Sequence, residues 1–333
     1  MAEKVLMKGN EAIAEAAIQA GCRHYFGYPI TPQTEIAAIN MVYSAASTGH
    51  RSMTSSSSPG ISLKAEGLSY IAGADLPALV INVQRGGPGL GGIQPSQSDY
   101  FQATRGIGHG DFHMIVLAPA SVQEMADLTV KGFDLADKYR TPVMLLADGT
   151  MGQMMEPVEI HTPEVKEYDK SWALTGTGLT RKHNVINSLS LDAYELEQSN
   201  LNRFERYRAI EASEAMHEEF MMEDAEICVV AFGIAARVAK NAIVQARKEG
   251  VKVGLIRPIT LWPFPKQALA AAAERCASFL TVELNMGQMV EDVRLAISCR
   301  RPVTTCTRTG GVIPSPAEVR AKIMEAAQEG GAE

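Results

Sequence analysis

Leu79-Val80-Ile81-Asn82-Val83-Gln84-Arg85-Gly86-Gly87-Pro88 is the stretch from which the fold can be read. The run Leu79 to Val83 is apolar apart from Asn82, as fits a strand buried on both faces of a parallel sheet. It passes through Gln84-Arg85 into Gly86-Gly87-Pro88-Gly89-Leu90-Gly91-Gly92, the most glycine-dense part of the chain. Glycines let backbone N–H groups approach a ligand closely. An arginine at a strand's C-terminal end faces the edge where open α/β sheets bind ligands. A flexible surface loop with a solvated arginine is the competing reading, and these residues alone leave both open. The loop is not the G-x-G-x-x-G fingerprint, since no helix follows at once and no acidic residue is suitably spaced.

Working outward, Met114 to Ala118 and Val143 to Ala147 repeat the buried-strand pattern. Between them Ser121 starts a helix, with Glu124 completing a capping box. Upstream, Glu11 to Ala20 reads as a helix stopped by Gly21, and Cys22 to Tyr28 as a short strand. Ser55 to Gly60 reads as a compact polar turn and Ile61 to Ala72 as one helix. Strands alternating with helices predict a parallel, helix-covered sheet. From Thr162 to Asp224 the pattern loosens, and Leu191 to Glu223 reads as an exposed charged helix. Ile227 to Phe232 opens a second run of alternating strands and helices. The expectation is therefore α/β, with two parallel-sheet domains at 1–160 and 225–333 and a linker at 161–224.

Composition narrows the function. Hydrophobic residues at 46% and charged residues at 21% supply a core and argue against disorder. A formal net charge of −7 with no basic stripe predicts no nucleic-acid binding. The five cysteines are odd in number and lack C-x-x-C spacing, so neither a disulfide framework nor a zinc or iron–sulfur ligand run is expected. No apolar run is long enough to span a bilayer. The prediction is a cytoplasmic protein without membrane insertion.

A second stretch concerns chemistry. In Gly27-Tyr28-Pro29-Ile30-Thr31-Pro32-Gln33-Thr34-Glu35 the two prolines hold Tyr28 and Thr31 extended. The Thr31 hydroxyl is thus presented on a stiff turn, and Glu35 falls in the first turn of the next helix. An N-terminus of this kind attracts anions, although a structural proline loop is the simpler reading of these residues alone. His109-Gly110-Asp111 reads as structural, Asp148-Gly149 as a weak cation site, and Glu283-Leu284-Asn285 as a softer hint of the same kind.

Taken in order, Gly27-Tyr28-Pro29-Ile30-Thr31-Pro32, Gln84-Arg85-Gly86-Gly87-Pro88, His109-Gly110-Asp111 and Ala147-Asp148-Gly149 resemble the α subunit of 2-oxoacid:ferredoxin oxidoreductases. The second half agrees through Leu255-Ile256-Arg257-Pro258, Trp262-Pro263-Phe264-Pro265, Glu283-Leu284-Asn285-Met286-Gly287-Gln288 and Arg308-Thr309-Gly310-Gly311. The resemblance covers nearly the whole chain. It implies a thiamine diphosphate pyrimidine-binding domain followed by a transketolase C-terminal-like domain. It implies that Glu35, as the residue before Ile36-Ala37-Ala38-Ile39-Asn40, is the catalytic glutamate that hydrogen-bonds the aminopyrimidine ring and promotes its imino tautomer, although as the residue after Pro32-Gln33-Thr34 it matches only a helix-start acid; it implies too that Thr31 and Arg85 hold the substrate's carboxylate end. Tyr28, Pro29, Ile30, Gly86 and Gly87 would line the cofactor. The implied reaction is oxidative decarboxylation of a 2-oxoacid, 3-methyl-2-oxobutanoate or 2-oxoglutarate, to its acyl-CoA with reduction of ferredoxin. Coenzyme A is the co-substrate. Magnesium and a [4Fe-4S] cluster are implied on a partner β subunit, with γ and δ subunits as further partners.

Two departures from the family pattern stand out. The family reaches its Ala-Ala-Ile-Asn-Met helix through an intervening helix, strand and loop, whereas here Thr34-Glu35-Ile36 runs straight into Ala37-Ala38-Ile39-Asn40-Met41. The G-D-G…N pattern that holds magnesium and diphosphate is also missing, as expected if that site is on the β subunit. A non-catalytic assembly subunit, its site broken by the missing segment, is the alternative reading.

Overall fold

The computed structural model describes residues 4–27, 33–164 and 166–330. Tyr28, Pro29, Ile30 and Thr31 lie outside the described residues. The chain begins with β1 (Lys4–Lys8), α1 (Gly9–Gln19), β2 (His24–Tyr25), α2 (Gln33–Ser47), β3 (Ser52–Ser56), α3 (Ser58–Leu63), α4 (Ala65–Gly73) and β4 (Ala78–Gln84). It continues through α5 (Tyr100–Thr104), β5 (Ile115–Leu117), α6 (Val122–Tyr139), β6 (Pro142–Asp148), α7 (Gly149–Gln153) and β7 (Met155–Glu159). Then follow α8 (Ala193–Ser213), β8 (His217–Phe220), β9 (Ile227–Ala231), α9 (Gly233–Lys248), β10 (Val253–Pro258) and β11 (Thr260–Trp262). The last elements are α10 (Lys266–Arg275), β12 (Ser278–Glu283), α11 (Met289–Ala296), β13 (Val303–Thr307) and α12 (Pro316–Gly330).

Among the described residues, one six-stranded sheet runs β11-β5-β6-β4-β3-β2 and a five-stranded sheet runs β13-β12-β9-β10-β8. Strands β2 to β6 are mutually parallel, as are β9, β10, β12 and β13. Each sheet carries one antiparallel edge strand, β11 and β8 respectively. The central strands β4 and β6 sit under helices on both sides, so their side chains are buried on both faces apart from the partly covered Val83. β1 and β7 form a small antiparallel pair that the sequence reading did not anticipate.

Three other elements differ from expectation. The helix expected over Ile61 to Ala72 is broken at Lys64, and Ser58 already lies in α3 rather than in a turn. The helix expected to reach Glu223 ends at Ser213, and β8 follows it. Nor is α8 wholly exposed, because Arg203, Tyr207 and Ile210 are buried. Most unexpected is β11, which leaves the second half of the chain to pair with β5 of the first sheet. Trp262, at its end, stacks on His113 at 4.7 Å and meets Tyr207 edge-on at 5.5 Å.

The two sheets are stitched together by residues 96–101. Gln97 is buried; its Nε2 donates to the Phe232 carbonyl at 2.8 Å and its Oε1 accepts the Leu284 N–H at 3.0 Å. Tyr100 Oη donates to Asp292 at 2.6 Å, and Gln288 Oε1 accepts the Phe101 N–H at 2.8 Å. Unpaired buried polar groups cost about 1–3 kcal/mol each, so these reciprocal bonds define one seating of the halves.

Candidate active site

The parallel strands of the first sheet all end toward one edge, and the sequence-predicted residues that the structure describes gather there. Helix α2 presents Glu35, Ile39, Val42 and Ala46 on one buried face, a 4-3-4 spacing that fits a helix packed on a sheet. Glu35 is thereby buried at the start of α2, beside the C-terminal end of β3. Its Oε1 accepts a hydrogen bond from Ser56 Oγ at 2.8 Å. Its Oε2 is ion-paired with Lys64 Nζ. Gly60 makes room for the pair, because a Cβ at that position would stand 2.8 Å from Glu35 Oε1.

Lys64 was missed by the sequence reading. Its side chain has no exposure, and its Nζ also donates to the Ser55 carbonyl at 3.2 Å. Burial pulls its ammonium below the usual lysine range, and Glu35 pulls it back up. The signal was present: Lys64 falls among Ile61, Leu68 and Ile71 on the apolar side of its segment, where a charge needs a partner. The break between α3 and α4 coincides with it.

Arg85 lies just past β4. Its backbone N–H donates to Ser58 Oγ at 3.1 Å, which ties it to the start of α3. Its Nε is buried and has no partner among the described residues. The glycine loop is folded back on itself, with the Gly86 N–H on the Gln94 carbonyl and the Gly92 N–H on the Gly86 carbonyl, both at 2.9 Å. The loop packs against the Arg308-Thr309-Gly310-Gly311 turn: a Cβ on Gly311 would stand 2.1 Å from Gln94 Cβ. Gly86 is buried and Gly87 exposed.

Other candidates have structural work. Asp148 Oδ1 accepts the N–H groups of Thr150 and Met151 at 2.9 and 3.1 Å, capping α7. Burial raises its pKa to about 6, against the pull of these N–H bonds. Glu283 is raised by burial in the same way, while it accepts the N–H groups of Gln288, Met289 and Val290 before α11. His109 Nδ1 lies 3.3 Å from Ser69 Oγ.

The described residues fit a cofactor that presents an N–H group to Glu35 and a substrate that presents an anion to Arg85. A carboxylate has about four lone-pair sites, and Ser56 and Lys64 engage one on each oxygen. The orphaned Arg85 Nε is a donor awaiting an acceptor.

Helix-covered parallel sheets with polar groups at their C-terminal edge define a ligand-binding α/β protein. The comparisons with known proteins narrow the class. Residues 33–221 match the family described as pyruvate flavodoxin/ferredoxin oxidoreductase, thiamine diphosphate-binding. Residues 225–319 match core domain II of pyruvate:ferredoxin oxidoreductase. The chain is 49% identical to ketoisovalerate oxidoreductase subunit VorB of Methanothermobacter marburgensis over 97% of this chain and 98% of that one. It is 34% identical to 2-oxoglutarate synthase subunit KorA of Methanothermobacter thermautotrophicus over 98% and 99%. Among solved structures it resembles the 2-oxoglutarate:ferredoxin oxidoreductase of Magnetococcus marinus with 2-oxoglutarate, coenzyme A and succinyl-CoA bound, at 27% identity and a TM-score of 0.87. That match covers 97% of this chain and 65% of the longer one. The chain belongs to the 2-oxoacid:ferredoxin oxidoreductase family, as one subunit of a multi-subunit enzyme. Among the described residues no helix is long and apolar enough to cross a membrane.

Proposed function

We propose that this chain is the α subunit of a thiamine diphosphate-dependent, CoA-acylating oxidoreductase whose substrate is a branched-chain 2-oxoacid such as 3-methyl-2-oxobutanoate. The observation that carries the substrate is the gap between 49% identity to the ketoisovalerate subunit and 34% to the 2-oxoglutarate subunit. The loop from Gly86 to Gln97 agrees, since it has no basic residue to meet a second carboxylate.

Bound thiamine diphosphate would supply the electron sink for loss of CO2. Glu35 would accept a hydrogen bond from the aminopyrimidine ring, held in place by Lys64 and Ser56. Arg85 would pair with the substrate carboxylate through its free donors, with Thr31 at the same end. Tyr28, Pro29, Ile30, Gly86 and Gly87 would line the cofactor. A β subunit would bring magnesium, the diphosphate site and a [4Fe-4S] cluster, with γ and δ subunits and ferredoxin as further partners in the cytoplasm. On this reading residues 1–160 form the pyrimidine domain, whose sheet β11 of the second half joins, 161–224 the linker, which gives β8 to the second sheet, and 225–333 the second domain.

The test is reconstitution with the β subunit and an assay of CoA-dependent reduction of a low-potential acceptor. Faster reduction with 3-methyl-2-oxobutanoate than with 2-oxoglutarate supports the reading; the reverse order overturns the substrate assignment. One observation favours a second reading. The alignment with the ketoisovalerate subunit runs to 347 positions, more than the 333 residues of this chain, so that subunit has residues with no counterpart here. If residues of the site are among them, the chain is an assembly subunit, and the reconstituted complex is stable but inactive.

A further inference from the structure

Four consecutive serines, Ser55 to Ser58, carry the chain from the end of β3 into α3. Three of them engage different neighbours. The Ser55 carbonyl accepts Lys64 Nζ at 3.2 Å, and Ser55 Oγ lies 2.8 Å from Tyr25 Oη. Ser56 Oγ donates to Glu35 Oε1 at 2.8 Å. Ser58 Oγ accepts the Arg85 N–H at 3.1 Å and donates to the Arg85 carbonyl at 3.4 Å. A serine hydroxyl has one proton to give, so Ser56 commits its proton to Glu35 and Ser58 commits its own to Arg85.

The turn that carries these hydroxyls is itself held. The Ser57 carbonyl accepts the N–H groups of Gly60 and Ile61 at 2.7 and 3.3 Å, and Pro59 fixes φ between them. A Cβ at Gly60 would fall on Ser56 Oγ, so only glycine leaves that hydroxyl where it is. Ser56 and Ser58 are two residues apart, which limits their Cα separation to about 7 Å. On its other side the Arg85 main chain is held by an isolated bridge to Pro95. Arg85 therefore has a fixed root, while its Nε has no partner among the described residues.

We propose that Ser56 and Ser58 are positioning residues that together set the separation of Glu35 from Arg85. Ser56 aims the Glu35 carboxylate, and Ser58 fixes the point from which the Arg85 side chain sets out. The proposal rests on the roles given above to Glu35 and Arg85. The keto carbon of a 2-oxoacid is bonded directly to its carboxylate carbon. A shift of the arginine that holds the carboxylate is therefore passed on to the reacting atom, and a misplacement of about 1 Å can cost on the order of 10²-fold in rate.

The test compares serine variants in the reconstituted complex and in the free chain. Ser58→Ala should raise KM for the preferred 2-oxoacid roughly tenfold and leave the Kd for thiamine diphosphate, read by calorimetry, unchanged. Ser56→Ala should do the converse, weakening the cofactor roughly tenfold with KM for the 2-oxoacid unchanged. Ser58→Thr and Ser56→Thr keep the hydroxyls and should restore each parameter. In the free chain, amide hydrogen exchange at Arg85 should quicken in Ser58→Ala, while exchange at Gly92, bonded to the Gly86 carbonyl, stays as it was. A merely structural role would move KM and Kd together with Tm. An unchanged KM in Ser58→Ala, or both alanine variants moving the same parameter, overturns the proposal. If Arg85→Ala raises KM and Ser58→Ala does not, the proposal falls alone. If Arg85→Ala leaves KM unchanged, or the complex is inactive, the catalytic reading falls and takes the proposal with it.

Discussion

Lys64, without solvent exposure, closes an ion pair on Glu35 across the break between α3 and α4. The pair binds α2 to the strand end that carries Ser55 and Ser56, and neither partner can lose the other cheaply. Removing one member of a buried pair strands the remaining charge, at a cost of about 3–5 kcal/mol. Lys64→Met should therefore lower stability by that order. The double variant Lys64→Met/Glu35→Gln should recover much of the loss, because no uncompensated charge remains. Denaturant midpoints for the four proteins of the cycle give the coupling directly.

Substitution of Arg85 tests the proposed binding role apart from folding. Its backbone is fixed by Ser58, whereas its Nε has no partner among the described residues, so truncation removes no described side-chain bond. Arg85→Ala should leave Tm nearly unchanged. It should lower kcat/KM of the reconstituted enzyme on the order of 10²-fold, the scale of a lost charged contact. Arg85→Lys should recover part of that loss, since it keeps the charge and not the fork.

Asp148 makes stability depend on pH in a defined direction. Its folded pKa of about 6 exceeds the ordinary 3.8, so the folded protein holds this proton more tightly than the unfolded chain. The contribution is absent well above pH 6, grows as pH falls through about 6, and is complete below about 3.8. Relative to Asp148→Asn, the wild type should gain about 2–3 kcal/mol as the pH is lowered across that window. Urea midpoints of both proteins at several pH values measure the difference, and parallel curves would refute it.

Neighbouring glycines should respond unequally. Gly311 has φ +97° and a Cβ there would collide with Gln94 Cβ; Gly310 has φ +68° and open space. Gly310→Ala should cost roughly 1–2 kcal/mol of backbone strain. Gly311→Ala should cost about 3 kcal/mol or more, since overpacking is added to strain. It should also shift the glycine loop that carries Gly86, so KM should rise in that variant alone.

The legible part of this molecule was its repetitive part. The apolar runs at Leu79–Val83 and Val143–Ala147 became central strands because continuous hydrophobicity has few other uses in a short segment. Ser121 caps α6 as read, its Oγ accepting the Glu124 N–H at 3.1 Å; the Glu124 carboxylate takes the Ala120 N–H instead of completing the box on Ser121. The edge strands β1, β7, β8 and β11 were illegible because short edge strands carry mixed polarity and are fixed by partners distant in sequence. At the site, Arg85 and Glu35 were singled out by residue type and position. Lys64 needed only the question of which partner a charge on an apolar face would find. Tyr28, Pro29, Ile30 and Thr31 lie outside the described residues.

The pairing of β11 with β5 bears on the order in which the protein can be made. A chain emerging from the ribosome cannot complete its first sheet until Thr260–Trp262 has been synthesised, after three strands of the first sheet's neighbour. Until then β5 is an open edge, the kind of surface that invites pairing between nascent chains. A gene fragment cut near residue 221, where the first family match stops, would leave that edge open permanently. Expressed alone, such a fragment should aggregate, and supplying the second half as a separate polypeptide should rescue its solubility.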